Sequence, residues 1–432
     1  YAGATESYFG TEYDSSYSYS REEGLLSVLG SLSYDFGARY YITGTFRRDG
    51  SSRLAPETRW GNFWSVSGSW RFANEKFMDF AWLNDGKLRG SYGTSGTLPS
   101  DYFGYMSVYD YGVYGDQGAS YPSNLANADL TWEKNKNWNV ALDATIFDKY
   151  TVSVEYYEKE TSDLLLDAKI PSTTGFTSTL SNVGAMKNRG WEISVNVDIL
   201  KKDDWDLSVG ANWSTIDNEI LSLSEEGETQ TSRPYIWKAG YAFYQYYSRH
   251  YLGYAKEDYD DGYGHVIKAG MPLYAEGSFY EKGETVDMDV VLKDGTKIAE
   301  GEKMPYDSYN YAPTNRNYAG SMILDGKTAL PKGYGGFNVA LRWKDLNFSM
   351  AWSYKYGHYI WDDGTDDMYT DGYREFHRNI GKSQIDSYSA NNTDAKYPMR
   401  LAGNNQGAYY DSDRFLHKGD YLRLKNGREG GE

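Results

Sequence analysis

Two alternating runs either side of a polar turn constrain this chain more than any other feature. Trp191, Ile193, Val195, Val197 and Ile199 alternate with Glu192, Ser194, Asn196 and Asp198. Past the polar turn at 201–204, Trp205, Leu207, Val209, Ala211 and Trp213 alternate with Asp206, Ser208, Gly210 and Asn212. A period of two means strand, because a helix would scatter these residues around its circumference. The short turn makes the pair a hairpin, with one face apolar and the other polar. Pairing about the turn is expected to set Trp191 opposite Trp213. Such an apolar face meets either a second sheet or lipid. Eight residues at ~3.3 Å, tilted by ~40–45°, rise roughly 20 Å, close to the separation of two aromatic girdles. The hairpin alone leaves both solvents open.

Composition narrows the choice. The chain has 432 residues, 17% of them aromatic, yet its mean hydropathy is −0.71. That mixture is unusual for a water-soluble core and suits a barrel with an aromatic belt, a polar lumen and large loops. The net charge of −17 argues against nucleic acid as a partner. With no cysteine, disulfides and thiolate metal sites are excluded. No run reaches the ~18 apolar residues of a transmembrane helix. The first residue is Tyr1, and the expectation is a fragment without its N-terminal part.

Alternation recurs along the chain. Leu26 to Phe36 turns at 37–38 into Tyr40 to Phe46; Trp64 to Phe72 follows, then a connection at 73–85 with a short helix, then a strand over 87–95. Trp138 to Ile146 turns at 148–149 into Tyr150 to Tyr156, and Phe337 to Trp343 turns at 344–345 into Leu346 to Tyr354. A last strand starts at Asp420 and is expected to end at Asn426, with 427–432 as a tail. Long loops are expected over 1–23, 96–131, 166–188, 221–333 and 358–418. Short and long connections alternate throughout. In an antiparallel sheet this trims one end and decorates the other, the asymmetry of an outer-membrane barrel. The reading is an all-β, transmembrane antiparallel β-barrel over residues 1–426, partial, with about 11–12 strands. Such barrels close with even strand numbers, so material is expected to be missing at both ends.

Six stretches, in this order, resemble SusC/RagA-type TonB-dependent outer-membrane receptors: Y-I-T-G-T-F-R-R-D-G-S-S-R (41–53), R-W-G-N-F-W-S-V-S-G-S-W-R-F (59–72), L-R-G-S-Y-G-T-S-G (88–96), L-T-W-E-K-N-K-N-W-N-V-A-L-D (130–143), N-V-G-A-M-K-N-R-G-W-E-I (182–193) and D-Y-L-R-L-K-N (420–426). The resemblance implies a barrel of about 22 strands with a plugged lumen in the bacterial outer membrane. It implies energised uptake of oligosaccharides, or in some members peptides, through the TonB complex and with a SusD-like surface lipoprotein. The plug domain and TonB-contacting segment that the family carries are not in these residues. A non-transporting surface or adhesion β-protein is the remaining alternative.

No catalytic motif stands out. His250, His265, His358, His377 and His417 all lie in loops, and neither H-E-x-x-H nor G-x-S-x-G occurs. No enzyme activity and no cofactor is expected. Loop carboxylates with glycine can hold Ca²⁺, which singles out Asp258, Asp260 and Asp261, and Asp362, Asp363, Asp366 and Asp367; solvated acidic loops are the commoner case. Loop aromatics are the candidate ligand contacts: Tyr102, Phe103, Tyr105, Tyr109, Tyr111, Tyr114, Trp237, Tyr241, Tyr244 and Trp361. Packing of these rings on one another is the competing expectation. On the hairpin, Trp191, Ile193, Val195, Val197, Trp205, Val209 and Trp213 are expected to face lipid. Glu192, Asn196, Asp198, Asp206 and Asn212 are expected to face the lumen.

Overall fold

The computed structural model describes residues 22–114, 117–224, 229–262, 264–364, 371, 381–401 and 412–431. Among them run eleven long strands: β1 (Leu25–Phe36), β2 (Tyr40–Ser51), β3 (Trp60–Trp70), β4 (Leu83–Thr97), β5 (Glu133–Ile146), β6 (Tyr150–Ser162), β7 (Ala185–Lys202), β8 (Trp205–Thr215), β9 (Gly333–Trp343), β10 (Leu346–Tyr356) and β11 (Tyr421–Gly431). The chain divides into two compact units, residues 1–189 with 221–224, and residues 190–220 with 225–432.

In the first unit β1 to β6 pair antiparallel in chain order. Register sorts the side chains into rows, because directly opposed residues share a face. One row reads Leu32, Gly44, Val66, Tyr92, Trp138, and the neighbouring row on that face reads Tyr34, Ile42, Gly68, Gly90, Val140. This apolar face is uncovered: Leu32 is 77% exposed and Val140 48%. The intervening row is Ser33, Thr43, Ser67, Ser91, Asn139. There the hydroxyls of Ser33 and Thr43 lie 3.0 Å apart. Ser91 Oγ donates to Asn139 Oδ1 at 2.8 Å, and Asn139 Nδ2 donates to Glu155 at 2.7 Å. Arg89 is held between Asp143 (2.9 Å) and Glu155 (2.8 Å).

The connections differ at the two ends of this unit. Turns at 37–39 and 147–149 are tight, and 71–82 holds two short 3₁₀ turns, Phe72–Asn74 and Lys76–Met78, where the sequence suggested a helix. Glu75 ties this end together. Its carboxylate accepts from Tyr40 Oη (2.5 Å), Arg39 Nη1 (2.9 Å) and Trp70 Nε1 (3.2 Å). These hydrogen bonds, Tyr40's foremost, hold its pKa below the ordinary value.

At the opposite end an apolar core of Leu54, Phe63, Leu130 and Trp132 forms under the loops. The Trp132 indole donates to Arg59 O at 3.0 Å. Gly61 and Gly96 make room for the Phe63 ring; a Cβ on either would overlap it. Asn182 donates to Thr131 O (2.9 Å) and Asp163 O (3.0 Å) and accepts from Thr131 N (2.8 Å). Two of the resemblance-bearing stretches, L-T-W-E and N-V-G, thus meet in one hydrogen-bonded staple. The loop expected over 166–188 contains a hairpin, Leu165–Lys169 with Ser178–Asn182.

In the second unit the hairpin expected around the turn at 201–204 is present, and β8 to β11 pair in order. Val197, Val209, Val339 and Met350 form one row, and Asn196, Gly210 and Asn338 the adjacent row on the other face. Two expectations need correction. Trp213 stands opposite Ile193, and Trp191 N donates to Thr215 Oγ1 at 2.9 Å, so Trp191 lies beyond the level of Trp213. The cause is the turn, which takes only 203–204 because Lys202 already pairs with Trp205; a bulge at Ile199, between Asp198 and Leu200, then takes back one residue of that shift. On the turn side of the bulge Leu200 stands opposite Leu207 and carries on the apolar face. The last strand also continues past Asn426 to Gly431, paired with β10. Turns 203–204 and 344–345 lie at one end; the connections 216–332 and 357–420 leave the other.

Candidate functional site

The connection after β8 is an ordered β-rich body. Y-I-W-K, Q-Y-Y-S and M-I-L-D-G-K-T are rich in the aromatic and branched residues that favour strands. They pair as Tyr235–Lys238, Gln245–Ser248 and Met322–Thr328, with Thr229–Ser232 at the edge. Gly326 (φ +69°) takes up the register shift, and the buried Gln245 amide donates to Leu324 O (2.6 Å) and Lys327 O (3.1 Å). The core beneath is Tyr246, Ala275, Met322 and Leu324, with Tyr309, Tyr311 and Trp361 packed against it.

Against this sheet opens a cavity of about 630 Å³. Its walls carry Tyr241, Phe279, Tyr306, Tyr309 and Tyr311, with Asp294, Asp307 and Asp325 and the ammonium groups of Lys293 and Lys327. Phe279 and Tyr309 meet edge to face at 5.0 Å. The Lys238 ammonium lies 5.9 Å from the Tyr241 ring and 5.7 Å from that of Phe279. Burial pushes the phenols of Tyr241, Tyr309 and Tyr311 above their ordinary pKa, so they stay protonated.

At the cavity's edge His250 and Lys327 turn toward the buried carboxylate of Asp413. His250 Nδ1 lies 2.6 Å from Asp413 Oδ2, Lys327 Nζ donates to the same oxygen at 3.1 Å, and Tyr251 N donates to Oδ1 at 2.8 Å. Burial opposes the charge of Asp413, yet the hydrogen bond and charge of His250, with Tyr251 N and Lys327, hold its pKa below the ordinary value. Next to it Arg414, also buried, bonds Asp371 at 2.6 Å and lies over the rings of Tyr251 and Tyr397. The turn at 412–415 is therefore pinned to the body that follows β8.

Of the aromatic candidates among the described residues, Tyr241 alone lines this cavity. Trp237 stacks on Phe243 (4.9 Å), Tyr244 meets Tyr235 and Phe243 edge-on, and Trp361 stacks on Tyr246 (6.2 Å). These three pack on other rings. In the first unit Tyr102 lies under the Arg53 guanidinium (4.1 Å), and Tyr105 packs on the Leu54 core. Phe103, Tyr109 and Tyr111 are exposed, the last two on a hairpin, Tyr109–Tyr114 with Gln117–Pro122. The Tyr114 side chain, His377, Asp366 and Asp367 lie outside the described residues.

The acidic segment at 258–261 is divided: Asp258 bonds Lys268 (2.6 Å), and Asp261 accepts from Thr314 Oγ1 (3.1 Å) and lies 3.3 Å from His265. Among the described residues no three carboxylates or imidazoles converge. Sequence reasoning missed Phe279, Tyr306, Tyr309 and Tyr311, although S-F-Y and Y-D-S-Y-N-Y carry them. They read as loop until the Phe279–Tyr280 pairing with Ser308–Tyr309 brings the two segments together.

In each unit, long antiparallel strands with one apolar and one polar face, joined by short turns at one end and leaving ordered loops at the other, are the elements of a barrel wall. The chain belongs to the family of the TonB dependent receptor-like β-barrel, whose model matches residues 1–309. It is 28% identical over 93% of its length to TonB-dependent receptor P39 of Formosa agariphila, covering 39% of that protein. It is likewise 28% identical over 94% of its length to TonB-dependent receptor SusC of Bacteroides thetaiotaomicron, covering 38%. The chain thus spans about two fifths of these relatives. Among solved structures, the RagAB peptide importer in the closed-closed state superposes with a TM-score of 0.74 at 25% identity, over 94% of this chain and 40% of that one. The resemblance to SusC/RagA-type receptors and the transmembrane, partial β-barrel class stand on these matches.

Proposed function

We propose that this chain is the barrel wall and outer loops of an outer-membrane transporter that imports oligosaccharides or other nutrients. Import is driven through TonB and shared with a SusD-like surface lipoprotein. The observation that carries the reading is the two-faced wall. Its apolar rows are uncovered across adjacent strands, while the opposite face is a hydrogen-bonded ladder of Ser, Thr, Asn and an Arg89–Asp143–Glu155 cluster. Lipid against the first face and a wet lumen at the second satisfy both. Trp205 and Trp343, stacked at 5.4 Å near the short turns, and Trp213, whose indole donates to Tyr356 Oη at 2.9 Å near the long loops, suit the two interfaces. TonB-dependent uptake of a labelled glycan by cells carrying the full-length receptor tests the reading. Uptake that survives loss of TonB would overturn it, as would partition of the full-length protein into the aqueous phase.

Peptide import is a second reading, favoured by the fold shared with the RagAB peptide importer. Binding panels of glycans and peptides on the complete receptor with its lipoprotein separate the two: a receptor that takes only peptides replaces the glycan.

A further inference from the structure

We propose that Arg48, at the outer rim of the first unit's apolar face, binds the phosphate of a membrane lipid. The inference rests on the barrel reading; the place of the cation rests on the strand register. Arg47 and Arg48 are neighbours in R-R-D-G with opposite surroundings. Arg47 lies on the polar face, where its Nε meets the buried Asp49 carboxylate at 2.6 Å. Arg48 lies on the apolar face, in one row with Val28 and Asn62. The row toward the short turns carries Gly30, Phe46 and Trp64, and the row toward the long loops carries Leu26, Gly50 and Trp60. None of these is acidic, and Arg48 has no carboxylate partner among the described residues. Its guanidinium lies instead over the Trp60 ring, 5.1 Å from the centre. Gly50 permits this, since a Cβ there would come within 2.8 Å of that ring. Trp60 thus leans from β3 across β2 and fixes where the cation stands.

Depth selects the ligand. β3 runs from Trp60 to Trp70, both on this face. Ten steps of ~3.3 Å, tilted by ~40–45°, rise roughly 24 Å, which matches the ~25 Å apolar band of such barrels. Arg48 is level with Asn62, next to the Trp60 row, and so sits at the outer rim of that band. A guanidinium in hydrocarbon is costly, whereas from the rim it reaches the headgroup level. The anion at that level is the lipid phosphate, whose oxygens fit the guanidinium fork. Leu26 and Val28, each 62% exposed, flank the cation on the same face, so acyl chains gain contact where the headgroup is held. A soluble anion lacks that second contact.

The test is native mass spectrometry of the full-length receptor released from detergent, with phosphatidylglycerol as probe and diacylglycerol of the same chains as the phosphate-free control. Wild type is expected to favour phosphatidylglycerol. Arg48→Gln should weaken its binding about fivefold, the effect of one cation at an anionic surface. Asn62→Asp sets a carboxylate directly opposite Arg48 and should weaken it likewise with the arginine still in place. Arg47→Gln removes the same charge from the other face and should bind lipid as wild type does. The proposal is overturned if wild type shows no preference, if Arg48→Gln binds as wild type does, or if Arg47→Gln loses as much. Should Arg48→Gln not fold, Asn62→Asp decides in the same way. Two other occupants would also overturn it: inorganic phosphate that binds alone with the same dependence on Arg48, or a second copy, seen as a changed oligomeric state in Arg48→Gln with unchanged lipid content. Partition of the full-length protein into the aqueous phase overturns the barrel reading itself; a receptor that enters micelles and fails these comparisons loses only the lipid site.

Discussion

Val209→Arg in the full-length protein isolates the assignment of the apolar face to lipid. Val209 lies four residues from both Trp205 and Trp213, in a row with Val197 and Val339. Four residues at ~3.3 Å, tilted by ~40–45°, rise roughly 10 Å, so Val209 sits near the midplane between the two Trp levels. A guanidinium on the lipid face at that depth costs about 2–4 kcal/mol, or roughly 30- to 700-fold in the folding equilibrium. Ser208→Arg is the matched control: it is one residue away at nearly the same depth, in the Asp198 and Ala340 row that faces the other way. There the new cation meets water and Asp198, and the change should stay within about 0.5 kcal/mol. Urea titration of folding into lipid vesicles, followed by tryptophan fluorescence, reads both variants. Equal losses in the two would refute the lipid assignment, and a larger loss for Ser208→Arg would invert it.

Glu75→Gln should lower the thermal midpoint and flatten its acid dependence. The carboxylate's pKa is depressed when folded, so its contribution is complete above the ordinary ~4.3 and disappears as pH falls through the lower folded value. Melting curves at successive pH values below ~5 would show a slope in wild type that the variant lacks in part. Asp413→Asn leaves His250 and Lys327 facing an amide in a buried setting. Removing one partner of such a pair costs about 3–5 kcal/mol, and limited proteolysis should cut the outer loops faster at unchanged barrel stability. Gly96→Val drives a side chain into Phe63 and Trp132; overpacking of about 1–3 kcal/mol should appear as a lower urea midpoint.

The wall was legible in the sequence because one solvent acts on every strand in the same way. Each strand must turn apolar groups to one side, so alternation recurs and its phase is readable residue by residue. The rows through Val140 and Asn139, or Val209 and Ser208, follow from that phase alone. What alternation does not encode is a local change of phase. The adjacent apolar pair Ile199-Leu200 in D-I-L-K-K is the visible trace of the bulge; a strict period of two passes over it, and taking 201–204 as the turn, where the strands pair up to 203–204, misplaces Trp191 by two residues. The end of β11 fails for a different reason. G-R-E-G-G has no apolar alternation, and its strand conformation comes from pairing with β10, a tertiary cause invisible in the segment itself.

The loops resisted for a deeper reason, which bears on where recognition resides. Their rings serve two masters: Trp237, Tyr244 and Trp361 build the loop body by stacking, whereas Tyr306 and Phe279 stay open at the cavity. Both groups look alike in sequence, since each is an aromatic residue among polar neighbours. Only long-range pairing separates them. Tyr246 bonds Tyr359 O at 3.1 Å across 113 positions, and His250 reaches Asp413 across 163. Contacts of that span fix the loop body as a folded unit, with the cavity as a consequence of its packing. A loop aromatic is thus better judged by whether another ring already occupies its face than by its distance from the wall.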